Sequence, residues 1–188
     1  MQPLELYIHI PFCVKKCAYC DFLSGPAGEK EKEEYVKMLV DEIRNCPDTV
    51  QNYRVISIFF GGGTPSLLTG EQIGRLMDTV REIFTLDEDA EITMEMNPGT
   101  VTEEKLRKYR QAGVNRLSIG LQSVNDEELR LLGRIHTYEE FREAYHLARA
   151  NGFSNINVDL ISAIPGQTVE SWRRTLEQVM ALSPEHIS

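Results

Sequence analysis

The stretch YIHIPFCVKKCAYCDF, residues 7–22, opens with an apolar run typical of a β-strand and continues into a cysteine-rich loop. Cys13, Cys17 and Cys20 follow the spacing C-x3-C-x2-C, with an aromatic residue before the first and before the third. The fourth cysteine of the chain, Cys46, comes after a long helical segment. A secreted disulfide scaffold is normally shorter and richer in cysteine, so these clustered thiols favour metal ligands or redox groups.

Three uses of the clustered thiols are compatible with their spacing. A structural zinc site needs a fourth ligand; Cys46 lacks a partner pattern, and His9 lies on a strand, where histidine is more often packed or hydrogen-bonded. A redox pair of Cys17 and Cys20 would fit a thioredoxin-like motif but leaves Cys13 unexplained. An iron–sulfur cluster accounts better for the number three, because three thiolates can hold three irons of a [4Fe–4S] cube and leave the fourth iron open.

The composition is that of an ordinary globular domain. Of the 188 residues, 41% are hydrophobic and 26% are charged, which suits one well-buried domain and is short for two. The net charge of −9 argues against nucleic acid as a partner, because phosphate binding needs a basic surface. No apolar run reaches membrane-spanning length, and MQPLELYIHI lacks the pattern of a signal peptide. We therefore expect a cytoplasmic protein.

The whole chain alternates strand-like and helix-like segments. The predicted strands are LELYIHI (4–10), YRVISIFF (53–60), AEITMEM (90–96), NRLSIGL (115–121), NINVDLI (155–161) and EHIS (185–188). The predicted helices are EKEEYVKMLVDEIRN (31–45), TGEQIGRLMDTVREIF (69–84), TEEKLRKYRQAG (102–113), NDEELRLLG (125–133), TYEEFREAYHLARANG (137–152) and TVESWRRTLEQVMAL (168–182). Thr69 is the expected N-cap of the second helix, and Gly113 is the expected end of the third.

This alternation predicts right-handed βαβ units and a parallel sheet, in which several strands look apolar on both faces. The predicted fold class is α/β, a partial (β/α)6 TIM-like barrel, with a doubly wound sheet as the alternative. Because the last predicted strand stops at Ser188, we expect residues 1–188 to be one core domain of a longer protein whose C-terminal region is missing. Polar or glycine-rich segments follow the strands and would converge on the C-terminal rim, where barrel active sites lie.

The motifs resemble those of one known family. C-x3-C-x2-C after a first strand is the signature of the radical S-adenosylmethionine (SAM) superfamily. YIHIPFCVKKCAYCDF, GGGTPS, NRLSIGLQS and NVDLISAIPGQT together resemble the branch that contains the oxygen-independent coproporphyrinogen III oxidases and the HemW-type heme chaperones. The resemblance runs from about Tyr7 to the C-terminus with the motifs in the same order, and it implies a radical SAM core domain.

The resemblance also implies the cofactors and the residues that hold them. Cys13, Cys17 and Cys20 would ligate a [4Fe–4S] cluster. The residues that would bind SAM or flank the cluster are Tyr7, Tyr19, Gly62, Gly63, Thr64, Glu95, Gln122, Arg134 and Asp159. Without the resemblance, the same residues predict only a tight turn, strand-end acids, a surface arginine and core tyrosines. Heme is a further ligand that the resemblance allows.

The resemblance implies individual roles within this set, and each role suits the chemical type of its residue. Gly62, Gly63 and Thr64 would contact the methionine end of SAM, because glycine lets the backbone approach a ligand closely. The Glu95 carboxylate would accept hydrogen bonds from the ammonium or ribose hydroxyl groups of SAM, and Arg134 would pair with its carboxylate. The cofactor would do the difficult chemistry, while the protein binds, orients and shields it.

One residue separates the two activities known in this branch. The oxidases carry a further cysteine two positions after the third one, and this sequence has Phe22 there. The difference favours a heme chaperone that retains the cluster and SAM, with a coproporphyrinogen III oxidase as the alternative. The implied partners are heme or a porphyrinogen, an electron donor such as flavodoxin, heme-accepting proteins and a peripheral membrane target.

Overall fold

Six parallel strands form one sheet, in the order in which they occur along the chain. The computed structural model describes all residues, 1–188. The strands are β1 (Gln2–Ile10), β2 (Tyr53–Gly62), β3 (Thr85–Met96), β4 (Arg116–Gln122), β5 (Asn155–Leu160) and β6 (His186–Ile187). The α-helices are α1 (Glu29–Arg44), α2 (Gly70–Ile83), α3 (Glu103–Ala112), α4 (Asp126–Leu131), α5 (Tyr138–Ala150) and α6 (Val169–Ala181). Two short 3-10 helices, Asp48–Asn52 and Pro65–Leu67, are not among the predicted elements.

The order of the strands distinguishes between the two predicted architectures. A doubly wound sheet reverses its strand order at one point, whereas each strand here pairs in parallel with the strand that follows it in the chain. The strands β1 and β6 are the two edges of the sheet, so the barrel is open. The prediction of a partial (β/α)6 barrel is therefore confirmed, and the doubly wound alternative is wrong.

The two faces of the sheet differ in polarity, because successive side chains of a strand point to opposite faces. One face is apolar and buried, and consists of Ile8, Ile10, Ile58, Phe60, Ile92, Met94, Leu117, Ile119, Ile156 and Val158. The opposite face carries hydrogen-bonded polar groups: Arg116 donates to Thr93 Oγ1 (3.2 Å), and Asn157 donates to Ser118 Oγ (2.9 Å). The prediction that several strands are apolar on both faces is wrong, since helices cover only one face and the inner face borders a pocket.

The helices present apolar stripes of helical period to the covered face. In α2 the buried apolar side chains are Ile73, Leu76, Met77 and Val80, and in α5 they are Phe141, Ala144, Tyr145 and Ala148. This spacing places one side of each helix in the core and leaves the other side charged. None of the helices is both long and apolar enough to cross a membrane.

The ends of the elements lie close to their predicted positions. The side chain of Thr69 caps α2, and Gly113 ends α3 in the left-handed conformation with φ 109°. The strand β3 begins at Thr85, earlier than the predicted Ala90, because the acidic segment TLDEDA begins by pairing with β2. Acidic residues are poor strand formers, so this extension depends on the neighbouring strand rather than on local preference.

Replacement of Gly113 by alanine is expected to destabilise the protein by about 1–2 kcal/mol, because a left-handed φ disfavours alanine. The added Cβ would also lie 2.6 Å from the guanidinium of Arg81. The matched control is Gly74→Ala in α2, where an added Cβ meets nothing within 4 Å. Alanine in a helix is favoured over glycine by up to about 1 kcal/mol, so the control should be stabilising. Urea unfolding gives the free energy of unfolding of both variants. If Gly113→Ala were stabilising, the left-handed conformation at the end of α3 would be contradicted.

Candidate functional site

A cavity of about 230 Å³ opens at the C-terminal ends of β1 to β5. Eleven of the twelve residues that the sequence predicts for the site line it: Cys13, Cys17, Tyr19, Cys20, Gly62, Gly63, Thr64, Glu95, Gln122, Arg134 and Asp159. Ten of them lie at or just after the ends of five strands, which the parallel sheet brings to one edge, and Arg134 joins them from the segment after α4. The remaining predicted residue, Tyr7, does not line this cavity.

The cysteine loop is fixed by backbone hydrogen bonds at its base and in its middle. At the base, the Cys13 amide donates to the Gly25 carbonyl (2.9 Å), and the Gly25 amide donates to the Pro11 carbonyl (3.0 Å). In the middle, the Ala18 amide donates to the Leu132 carbonyl after α4 (2.9 Å). The loop is therefore pinned to the body of the fold on both sides of Cys17.

The thiols themselves are free and half-buried, and no disulfide links them. No group of three or more His, Cys, Asp or Glu side chains converges on a position for a single metal ion. The three thiols line the same cavity as the glycine run and the strand-end charges. Three cysteine sulfurs that line one cavity are the soft donor set that an iron–sulfur cluster takes.

The glycine run lies against the exit of β1, and this contact requires glycine. The Gly63 amide donates to the Ile10 carbonyl (2.8 Å), and the Thr64 amide donates to the Phe12 carbonyl (2.7 Å). A Cβ at Gly63 would lie 2.6 Å from the Phe12 oxygen, closer than real contacts allow. The Thr64 hydroxyl also lies 3.5 Å from Cys13 Sγ, so the second strand end directly contacts the first thiol.

Glu95 carries an unpaired carboxylate into the cavity. One oxygen, Oε2, accepts a hydrogen bond from the Gly62 amide (3.0 Å), and no lysine or arginine pairs with the group. Burial raises the pKa of Glu95 to about 7, the Gly62 hydrogen bond opposes this, and the nearby Asp159 charge adds to it. A cationic ligand would remove this penalty, so the donor set fits an amine such as the one in SAM.

Arg134 supplies the positive charge of the same cavity. Its Nη2 donates to the Asn97 side-chain oxygen (2.6 Å) and to the Gly120 carbonyl (2.5 Å), while Nη1 lies 3.8 Å from Cys17 Sγ. These partners are neutral groups or a thiol, so no carboxylate neutralises the guanidinium. Burial raises the pKa of the adjacent Tyr19 to about 12, although the Arg134 charge acts in the opposite direction. The arrangement leaves a fixed cation able to pair with an anionic ligand group.

Two further predicted residues are held in place by their neighbours. Ser118 donates to Asp159 Oδ2 (2.8 Å), and Asn157 donates to Asp159 Oδ1 (2.8 Å), which orients the carboxylate at the end of β5. Gln122 ends β4 with φ 76°, a left-handed conformation that is uncommon for a residue other than glycine. Both side chains border the cavity.

Several residues outside the cavity also bear on the sequence predictions. Tyr7 is 60% exposed on the inner face of the sheet and stacks on Phe59 with ring centroids 6.0 Å apart. Cys46 lies away from the cavity, and its thiol donates to the Glu42 carbonyl (3.8 Å). His9 contacts the Leu23 carbonyl through Nε2 (3.4 Å), as a hydrogen-bonded strand histidine would.

Sequence reasoning did not single out some residues that line the cavity. These are Ser24, Met96, Asn97, Ser118 and Gly120. Asn97 has the strongest contact, because it accepts a hydrogen bond from Arg134. Its position directly after β3 could have indicated it, whereas Ser118 lies inside a strand and only the inward direction of its side chain reveals it.

Comparison with known proteins identifies the class to which this open barrel and thiol-lined cavity belong. The model of the radical SAM superfamily matches residues 7–179. The chain therefore belongs to the radical SAM superfamily.

Its relatives lie in the branch that contains HemN and HemW. The chain is 47% identical to the heme chaperone HemW of Escherichia coli, over 100% of this chain and 50% of that protein. It is 39% identical to the oxygen-independent coproporphyrinogen III oxidase of Salmonella typhimurium, over 100% of this chain and 41% of the relative. The solved structure of coproporphyrinogen III oxidase HemN from Escherichia coli matches with a TM-score of 0.90 and 37% identity, covering 99% of this chain and 44% of the other. The chain thus spans about half the length of the curated relatives it matches.

Glu95→Gln is expected to stabilise the ligand-free protein in a pH-dependent way. Because the pKa of Glu95 is raised to about 7, the folded parent holds a proton that the unfolded chain releases at lower pH. Parental stability therefore falls between about pH 4.5 and 7 and is level above that range. The gain from Glu95→Gln should grow over this range to the order of 2–3 kcal/mol at pH 8.

Chemical unfolding at pH 5, 6, 7 and 8 measures this gain. The control is Glu88→Gln, which removes an exposed carboxylate from the same strand. If the gain in unfolding free energy from Glu95→Gln does not change with pH, or equals that of the control, then burial does not raise the pKa of Glu95.

Proposed function

We propose that this chain binds a [4Fe–4S] cluster and SAM in the cavity and serves as the core of a heme chaperone of the HemW type. The observation that carries the proposal is the meeting of three free thiols with unpaired acidic and basic groups in one cavity. The thiols suit the iron–sulfur cluster, and the acidic and basic side chains suit the ammonium and carboxylate groups of SAM.

Cys13, Cys17 and Cys20 would hold the cluster. Their loop is pinned by backbone hydrogen bonds to Gly25 and Leu132, so the three ligands come from one fixed segment. When bound, the cluster and SAM together supply one-electron radical chemistry. The protein's task is to hold both groups and to exclude water from them.

The remaining groups of the cavity would bind SAM. The Glu95 carboxylate is free to accept hydrogen bonds from the ammonium group, and Arg134 is free to pair with the carboxylate. The oriented Asp159 would accept from hydroxyl groups, and the glycine run would contribute backbone polar groups at close range. Because Glu95 would bind the ammonium group and Arg134 the carboxylate, the amino-acid part of SAM would bind in one orientation. Tyr7 lies outside the cavity, so in this proposal it would contribute to the inner face of the sheet and would not contact SAM in the cavity.

The choice of heme chaperone over oxidase is supported by two observations. Phe22 stands two positions after Cys20, where the resemblance implies a further cysteine in the oxidases. The HemW relative from Escherichia coli is 47% identical over the whole chain, against 39% for the Salmonella oxidase. Oxidative decarboxylation of coproporphyrinogen III is the alternative. Heme-accepting proteins, an electron donor such as flavodoxin, peripheral membrane contact and a cytoplasmic location belong to the same proposal.

Reconstitution with iron and sulfide in the absence of oxygen tests the cofactors. The electron paramagnetic resonance spectrum of the reduced protein should show a [4Fe–4S] signal that changes when SAM is added. Cys13→Ala should abolish the SAM-responsive signal, because it removes one of three ligands. Cys46→Ala is the control and should leave the signal unchanged. A protein that holds zinc, or a cluster that does not respond to SAM, would contradict the proposal.

Heme titration and product analysis separate the carrier from the enzyme. A heme chaperone should bind heme stoichiometrically, as a saturable change in the absorption spectrum, and should release it to an apoprotein acceptor. An oxidase should convert coproporphyrinogen III to protoporphyrinogen IX when SAM and a reductant are supplied. Turnover without heme binding would overturn the chaperone assignment.

A further inference from the structure

One buried carboxylate outside the cavity has no positively charged partner. Glu128 in α4 is 7% exposed, and it takes part in no ion pair. Acidic side chains are almost never this buried unless they are paired, because burial costs much of the hydration energy of the charge. A buried carboxylate without a cationic partner must be stabilised by hydrogen bonds, and the donors of those bonds indicate its role.

Three neutral donors surround Glu128. Its Oε2 accepts from the Ser123 hydroxyl (2.6 Å) and from the Gln167 amide group (2.9 Å), and its Oε1 accepts from the Ser171 hydroxyl (2.8 Å). Burial opposes ionisation, but these hydrogen bonds outweigh it and lower the pKa of Glu128. The donors come from three separate places: the turn after β4, the loop after β5 and the start of α6.

The network reaches the cavity through Ser123. Ser123 is fully buried and directly follows Gln122, which lines the cavity. Its hydroxyl is bonded on both sides, because it donates to Glu128 and accepts from the Asn125 amide (3.0 Å). The position of Ser123 is therefore determined by Glu128 on one side and by the start of α4 on the other.

Gln122 needs such support because its backbone is strained. Its φ of 76° is unfavourable for a residue with a side chain, and the pairing of β4 with β5 shifts register between Gly120 and Gln122. Strain of this kind persists only where the surroundings hold it, and it is common at ligand sites. The Gln122 carbonyl accepts from the Ile161 amide (3.0 Å), which ties it to the loop that carries Gln167.

We propose that Glu128 is a positioning residue for the ligand cavity: by anchoring Ser123 and Gln167, it holds Gln122 in the left-handed conformation that presents it to SAM. Glu128 does not line the cavity and touches no predicted ligand group. The proposal assigns a purpose to the IPGQT segment, whose Gly166 turns with φ 81° just before Gln167. It rests on the proposed SAM binding for its effect on the ligand, but not for its effect on Gln122.

Four variants test this proposal in the reconstituted full chain. Glu128→Ala removes the anchor and should weaken SAM binding about tenfold, as expected for loss of a buried hydrogen-bond network. Glu128→Gln keeps an oxygen for Ser123 and Gln167 and should bind SAM within about threefold of the parent. Ser123→Ala should reproduce Glu128→Ala. Ser171→Ala removes a donor to the same carboxylate on the side away from the cavity and should leave SAM affinity unchanged.

Calorimetric titration with SAM gives the affinities. A loss of affinity in Glu128→Ala and Ser123→Ala, with rescue by Glu128→Gln, supports positioning through Ser123. An equal loss in Ser171→Ala would show general destabilisation and would overturn the proposal. So would unchanged affinity in Ser123→Ala.

Hydrogen–deuterium exchange of the ligand-free chain tests the same geometry without SAM. Glu128→Ala and Ser123→Ala should speed exchange of the amides in residues 121–125, whereas Ser171→Ala should speed it only at the start of α6. Unchanged exchange in residues 121–125 of Glu128→Ala would overturn the proposal even if the parent binds SAM. A parent that binds no SAM would refute the proposed function, and the exchange result would still decide the role of Glu128.

Discussion

The site depends on one contact between two backbones. The end of β2 passes so close to the exit of β1 that Gly63 and Thr64 donate to the carbonyls of Ile10 and Phe12. A side chain at Gly63 would collide with the Phe12 oxygen, so any larger residue would push the strand ends apart. This contact places the cysteine loop over the end of the second strand and brings Cys13 against Thr64. One wall of the cavity is formed where these two strand ends meet.

The electrostatics of the cavity follow from its walls. The parallel strands bring Glu95 and Asp159 to one edge of the sheet, together with Asn97 and Gly120, which hold the Arg134 side chain. No ion pair forms between either carboxylate and the Arg134 guanidinium. A folded protein optimised only for stability would pair these charges or replace them. The uncompensated charge of Glu95 costs stability in the ligand-free state, which a charged ligand would recover. The cavity thus holds an acidic and a basic group that do not pair with each other, and the proposed binding of SAM uses both of them.

Hydrogen bonds from neighbouring residues support two of the residues that line the cavity. Asp159 is oriented by Ser118 and Asn157, and Gln122 is connected through Ser123 to Glu128. Ser118, Asn157 and Ser123 are neutral, and the Glu128 carboxylate does not line the cavity, so these partners fix geometry without adding charge to its lining. Phe22, which bears on the proposed choice between chaperone and oxidase, lies on the cysteine loop and also lines the cavity.

The sequence by itself determined the succession of strands and helices, the helix ends at Thr69 and Gly113, and the thiol spacing, because these depend on local periodicity, capping and motif order. It favoured the partial barrel but left the doubly wound sheet open as the alternative, since both contain the same βαβ units. Only the tertiary structure decided which face of each strand meets the cavity, that Tyr7 lies outside it, and that Glu128 is hydrogen-bonded to Ser123 behind it. Those properties depend on strand pairing and side-chain direction, which residues distant in the chain determine together.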